Sequence, residues 1–305
     1  MDLRQLQAFL AVVDHGGFTA AARATHTVQS NISTHVARLE RALEATLIDR
    51  ATGRPTQEGE AVVARARRIQ NELSALEGDV ASLQGSPRGT VRLGIIGTTA
   101  RWLTPLVVDG LAKETPDVRP VVVDATTSSQ VLRLVEGDLD FGVVALPVDD
   151  PEVRTRKLFT EENVVIAPAG HPLTTATDPL GVGDLAGEEL LLASPGTTFR
   201  RVVDEAFDAA DLTPKVKVEV DGLRLLATLA FKGFGVAIVP ASAAPGWVGG
   251  DWVELAVEGL GRRTVGIATR RRGMLSLAAQ STIELVEKVV EREAAELRGI
   301  DLHER

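Results

Sequence analysis

The sequence predicts a chain of mixed architecture: an all-helical head with a wing, one long helix, and a larger two-lobed α/β body. Three observations predict it. Short amphipathic helical patterns broken by turns fill the first 55 or so residues. A heptad of apolar residues follows. From residue 91 onward, short apolar runs alternate with helical patterns.

The head comes first. Leu3, Leu6, Phe9, Leu10 and Val13 recur at helical spacing, and His15-Gly16-Gly17 ends that helix. An Ala-rich helix fits residues 18–24, with Thr19 as its expected N-cap. After the turn Thr25-His26-Thr27-Val28, a further helix fits residues 29–45, with Ile32, Val36, Leu39 and Leu43 on one face. Two short helices joined by such a turn form a helix-turn-helix pattern. The run Ala20 to Ala22 lets the two helices cross closely. Gly53 and Pro55 then mark a hairpin or wing, with Arg50 and Arg54 expected to point outward from it.

A long helix starts at Gln57. Val62, Ala66, Ile69, Leu73, Leu76, Val80 and Leu83 are spaced alternately four and three residues apart. That seam favours a partner helix, most simply the same helix of a second copy. Gly85-Ser86-Pro87-Arg88-Gly89 reads as the hinge that ends it.

Strands are expected at 91–96, 118–123, 141–145, 164–168, 190–193, 216–220, 236–240 and 265–269. Helical patterns lie at 100–114, 128–137, 199–210 and 222–231, and a last amphipathic helix at 275–297. Alternating strand and helix implies parallel sheets covered by helices. About 215 residues is long for one sheet, so two lobes are expected.

Composition narrows the function. The chain has 305 residues, a net charge of -9 and no cysteine, so disulfide and thiolate chemistry are excluded. Overall acidity argues against nucleic acid, but the charge is uneven. Residues 1–70 hold nine arginines, no lysine and seven acids, a net of +2, which leaves -11 for the rest. A mildly basic end on an acidic chain hints at nucleic-acid binding there. Few aromatics and no tyrosine disfavour single-strand stacking. No nucleophile elbow, P-loop or zinc-protease motif occurs, so an enzyme is not expected. No metal site is expected: cysteine is absent, and His26 and His35 lack ligand spacing. The opening residues do not form a signal peptide, and no apolar run approaches the roughly 20 residues of a membrane span. A cytoplasmic protein without membrane contact is expected.

Several elements together carry a family resemblance. They are Phe18-Thr19-Ala20-Ala21-Ala22, Gln29-Ser30, Ile32-Ser33, Leu39-Glu40, Leu43, Leu47, Arg50 and the Thr56-x-x-Gly59 pattern. This stretch resembles the winged helix-turn-helix of LysR-type transcriptional regulators. The long helix resembles that family's linker helix. The α/β body resembles its two-lobed, periplasmic-binding-protein-like effector domain, down to the phrase from Gly233 to Pro240. Three positions depart from the pattern. Thr25 stands where leucine is usual, Val28 where Ser or Thr is usual, and Thr34 where arginine is frequent. Val28 cannot cap the helix, so Thr27 is the expected substitute.

The resemblance implies a winged helix-turn-helix DNA-binding domain at 1–58, a dimerisation helix and hinge at 59–88, and an effector-binding domain at 89–305. Lobe I would cover about 89–161 and 268–305, and lobe II about 162–267. It further implies double-stranded DNA as partner, a homodimer or homotetramer on an inverted repeat, and RNA polymerase as a further candidate partner. The expected DNA contacts are Thr19, Gln29, Ser30, Asn31, Ser33, Thr34, Arg38, Arg50 and Arg54. Gln29 and Asn31 would pair with adenine edges, and the arginines with phosphate or the minor groove.

No cofactor is expected apart from a small-molecule effector. Small ligands of open α/β sheets bind beyond the strand carboxyl ends, near helix N-termini. Three hydroxyl-bearing loops lie there, and they match the family's cleft loops. Thr98 and Thr99 form the first, Thr126, Thr127 and Ser128 the second, Ser194, Thr197 and Thr198 the third. Hydroxyls and free N–H groups suit an anion such as a carboxylate. Two other readings stay open: an effector-independent repressor of the same family, and a solute-binding protein.

Overall fold

A computed structural model describes residues 1–83, 85–176, 179–244, 246–294 and 297–302. The head contains α1 (Leu3–His15), α2 (Phe18–Ala24) and α3 (Gln29–Leu43), followed by α4 (Gln57–Ser82). Asp2 and Gln5 form a reciprocal capping box at the start of α1, and Gly16 ends it at φ 71°. The cap expected of Thr19 is not made: Gly17 stands at the N-cap, and Thr19 lies inside α2. Thr27 does not cap α3 either. Val28 occupies that position without a side-chain bond, and the Thr27 hydroxyl accepts from Asn31 Nδ2 instead. α3 stops at Leu43, two residues earlier than expected, where Glu44 turns left-handed. Phe9, Val12, Ile32, Val36, Leu39, Leu47 and Ile48 form the head's core.

The seam on α4 divides. Ala66 is buried in the head core and Val62, half-buried, packs against it. Leu73 is half-buried. Ile69, Leu76, Val80 and Leu83 are exposed in the single chain, Leu76 at 59% and Leu83 at 81%. An uncovered apolar row on an otherwise polar helix is what a paired helix would bury.

The body opens with β1 (Gly89–Ile95), α5 (Gly97–Glu114), β2 (Val118–Asp124), α6 (Thr127–Glu136) and β3 (Phe141–Leu146). β4 (Val153–Pro168) leads into β5 (Leu180–Gly181), β6 (Glu189–Ala193), α7 (Thr198–Ala209), β7 (Lys215–Val220), α8 (Leu223–Phe231) and β8 (Val236–Pro240). β9 (Trp252–Glu258), β10 (Arg262–Arg270), α9 (Leu277–Glu293) and β11 (Ile300–Leu302) complete it. β1 pairs in parallel with β2 and β3, and β6 in parallel with β7 and β8. The long β4 belongs to both lobes. Its first part pairs with β10 and β11, and its second with β8 and β9.

β10 pairs with β4 along its whole length and with β3 over residues 264–269, and Val265 and Ile267 enter the lobe I core. The chain therefore returns to lobe I near residue 262 rather than at 268. The two crossing strands run side by side through residues 161–162 and 262–263. Lobe I is filled by Leu93, Trp102, Leu103, Phe141, Phe159 and α9, and lobe II by Val165, Leu190, Leu192, Phe207 and Ile238.

α4 lies on lobe I through polar contacts at helix ends. Asp79 accepts from the N–H of Leu277 at the start of α9, at 2.7 Å. Arg68 and Asn71 donate to the carbonyls of Val135 and Gly137 at the end of α6. These pairings suit the charge of each terminus. Among the described residues, no helix is long and apolar enough to cross a membrane.

Candidate DNA interface and effector cleft

The first turn of α3 is an open surface. Gln29, Ser30, Asn31, Thr34 and Arg38 are exposed, and Ser33 is half-buried. Thr19 Oγ1 donates to Gln29 Oε1 at 3.1 Å, so α2 orients the glutamine and leaves its Nε2 free of protein partners among the described residues. The Thr34 hydroxyl donates back to the Ser30 carbonyl at 2.7 Å. Arg38 and Arg54 have no acidic partner among the described residues. Val28, ahead of α3, is an apolar side chain 59% exposed, a feature that the sequence pattern shows only as a lost cap.

The wing is a tight turn. Ile48 and Pro55 form an antiparallel bridge, and Gly53 donates to the Asp49 carbonyl at 2.8 Å. The N–H groups of Ala51 and Thr52 hold the Asp49 carboxyl below the usual range. Arg54 points outward from this turn. Arg50 departs from expectation: it pairs with Glu40 at 3.1 Å and lies 4.9 Å over the Phe18 ring. Glu40 also accepts from the N–H of Leu47 at 2.9 Å. Arg50 therefore braces the wing against α2 and α3.

Between the lobes lies a cleft of about 540 Å³. The first turns of α5, α6, α7 and α8 all line it, two from each lobe. The cap residues Thr126 and Thr197 accept from Ser129 at 3.4 Å and Arg200 at 3.1 Å. α5 and α8 have no side-chain cap, so their first amides stay available. A buried glutamine seats α6. Gln130 Nε2 donates to the Ala125 carbonyl at 2.9 Å, and a Cβ at Gly94 or Gly142 would stand 2.5 Å from its Oε1.

Six of the eight expected effector residues line this cleft: Thr98, Thr126, Thr127, Ser128, Thr197 and Thr198. Thr99 and Ser194 do not. Thr99 is fully buried in α5, and the N–H of half-buried Ser194 donates to the Val220 carbonyl at 3.1 Å. The Thr127 hydroxyl accepts from the N–H of Ala145 at 3.0 Å.

Sequence reasoning missed the charged groups here. Arg224, at the start of α8, forms an ion pair with Asp124, at the end of β2, across the lobes. Asp221 also lines the wall. Arg263 lies deeper and is 6% exposed; it pairs with the fully buried Glu161. Only the pleat could have hinted at this: Arg262 turns outward to Asp301 while Arg263 turns in. Among the described residues no cluster could hold a metal ion.

Comparison with known proteins agrees with this geometry. Residues 3–60 match the model of the bacterial regulatory helix-turn-helix protein, lysR family, and residues 84–291 match the LysR substrate binding domain. The chain is 34% identical over 248 residues to a probable hydrogen peroxide-inducible genes activator of Mycobacterium leprae, covering 79% of this chain and 78% of that one. It is 25% identical over 292 residues to the regulator CbbR of Xanthobacter flavus, covering 94% and 87%. A full-length variant of OxyR from Pseudomonas aeruginosa superposes with a TM-score of 0.76 at 25% identity, covering 100% and 99%. Full-length CbnR complexed with its target DNA shares the fold, with a TM-score of 0.71 at 22% identity over 94% and 99%.

Proposed function

The chain belongs to the LysR family of bacterial transcriptional regulators, and from that premise we propose how it reads DNA and what class of molecule it senses. One observation carries the reading. A single chain joins an exposed helix face, with unpaired arginines beside it, to a two-lobed cleft ringed by helix N-termini.

α3 enters the major groove by its first turn. Gln29, oriented by Thr19, presents its amide to an adenine edge, and Asn31 is the second reader. Ser30, Ser33 and Thr34 bond phosphates or base edges. Arg38 and Arg54 neutralise the backbone, and Arg50 keeps the wing in place. Val28 meets a thymine methyl. The row from Ile69 to Leu83 pairs with its copy in a second chain, which sets two heads on an inverted repeat. Dimers pair further into a tetramer, and RNA polymerase is the partner of an activating complex. The protein works in the cytoplasm and turns over no substrate.

The cleft receives a small anionic metabolite. Uncapped N–H groups from both lobes and the partial positive charge of helix N-termini support that choice. Differential binding to one pose of the lobes would move the heads. Peroxide is the inducer named for some relatives. This chain contains no cysteine, so a thiol-based response is closed to it.

The test is a mobility shift with the full chain and a duplex from its own upstream region, at several salt concentrations. A retarded band that weakens steeply with salt is expected. No shift at any salt would sink the reading.

A further inference from the structure

We infer that Arg263 is the anion receptor of the cleft and that Glu161 is its internal competitor. This rests on the reading of the cleft as the effector site. The arginine touches all three parts that must move together. Nη2 donates to Thr98 Oγ1 of lobe I at 2.8 Å and to Ser242 Oγ of lobe II at 3.4 Å. Nε donates to Glu161 Oε1 on the crossing strand at 2.9 Å, and Nη2 bonds the same oxygen. The other carboxylate oxygen accepts from the N–H of Ser242 at 2.9 Å.

A guanidinium has five N–H donors in a fixed fork. Here Nη1 has no partner among the described residues, although Arg263 is nine-tenths buried and forms part of the cleft wall. Thr98, whose hydroxyl it holds, lies on the uncapped first turn of α5. An anion resting on those amides meets the free corner of the guanidinium. A buried pair with one unpartnered nitrogen, and so two unfilled N–H donors, is a poor stabilising device, since desolvation cancels much of its attraction. It is a good receptor, because an added carboxylate gains a charge-assisted bond in a site already dried. The ligand then shares the guanidinium with Glu161. Glu161 also holds Ser242, so occupancy reaches lobe II through one carboxylate.

Matched probes test this: acetate, succinate and benzoate against acetamide, succinamide and benzamide, at equal ionic strength. The readouts are the thermal midpoint and tryptophan emission of the full chain. At least one acid is expected to give a saturable response that its amide does not. Arg263→Gln should weaken that acid about tenfold or more. Glu161→Gln should strengthen it several-fold, because the competitor's charge is gone. A purely structural pair predicts no gain in Glu161→Gln, and this arm decides the matter if Arg263→Gln does not fold. Equal response to acids and amides, or no response to any acid, overturns the inference. Ser128→Trp fills the cleft and should abolish the response. A response that survives Ser128→Trp removes the cleft reading itself. Loss in Ser128→Trp, with both ion-pair variants unchanged, keeps the cleft and removes Arg263.

Discussion

The α3 face and the cleft solve opposite problems with similar residue types. On α3 the polar side chains are exposed and sparsely bonded, and among the described residues its arginines at 38 and 41 form no ion pair. In the cleft the hydroxyls of Thr98, Thr126, Thr127 and Thr197 are already bonded within the protein, and the arginines 224 and 263 are each paired with an acid. DNA supplies dense charge along its length, so a surface that waits with free donors suffices. A small ligand offers one or two charges, so its site must be dry, shaped and nearly satisfied beforehand. On the proposed reading the head needs a second copy, whereas each cleft is lined by residues of one chain.

Doubling is the largest effect to break. Leu76→Asp combined with Leu83→Asp should cost the association of two chains about 2–4 kcal/mol or more. Sedimentation should then show monomers that still bind an acid probe but lose the DNA shift. Dimers that persist would move the interface away from α4. Next is the joint between wing and α4. A Cβ at Gly59 would lie 2.1 Å from the Leu47 carbonyl oxygen. Gly59→Ala should destabilise the head by about 1–3 kcal/mol, seen as an early unfolding step while the body melts unchanged.

Smaller effects separate readers from anchors. Gln29→Ala should reduce preference for the cognate duplex by about 1–3 kcal/mol and leave random DNA unaffected in a competition assay. Arg54→Ala should weaken both alike and flatten the salt dependence. Equal losses for Gln29→Ala would make it an anchor too. Smallest is Asp124→Asn, which removes a half-exposed ion pair across the cleft. It should change stability by about 0.2–1 kcal/mol at most, while raising affinity for an acid probe through the freed Arg224. A weaker acid response would give Asp124 a different role.

Most of the fold was legible because its signals are local. Apolar runs marked β1, β2, β3 and β8, and the glycines at 16 and 53 marked real turns. The first half of β4 was not legible. Its stretch from Val153 to Asn163 is rich in charge, and distant partners, β10 and β11, make it a strand. β9 escaped for a similar reason: its half-buried face shows no continuous apolar run. The site followed the same rule. Gln29 and Ser30 sit together on one helix turn, so a pattern shows them. Arg263 meets Thr98 across 165 positions and Glu161 across 102, and no spacing in the chain announces either contact. From the sequence Thr19 is expected both to cap α2 and to face DNA. It fails as the cap and instead fixes Gln29, because Gly17 had already turned the chain into α2.

The proposed coupling joins, in one chain, a helix that reads DNA to a cleft that reads an anion. Hydroxyl-radical footprinting of the full chain on its own upstream region, with and without a carboxylate that binds, tests it most directly. Protected segments about one helical turn apart, with a spacing or extent that changes on adding the acid, are the predicted result. Protection identical with and without a bound acid would contradict the coupling.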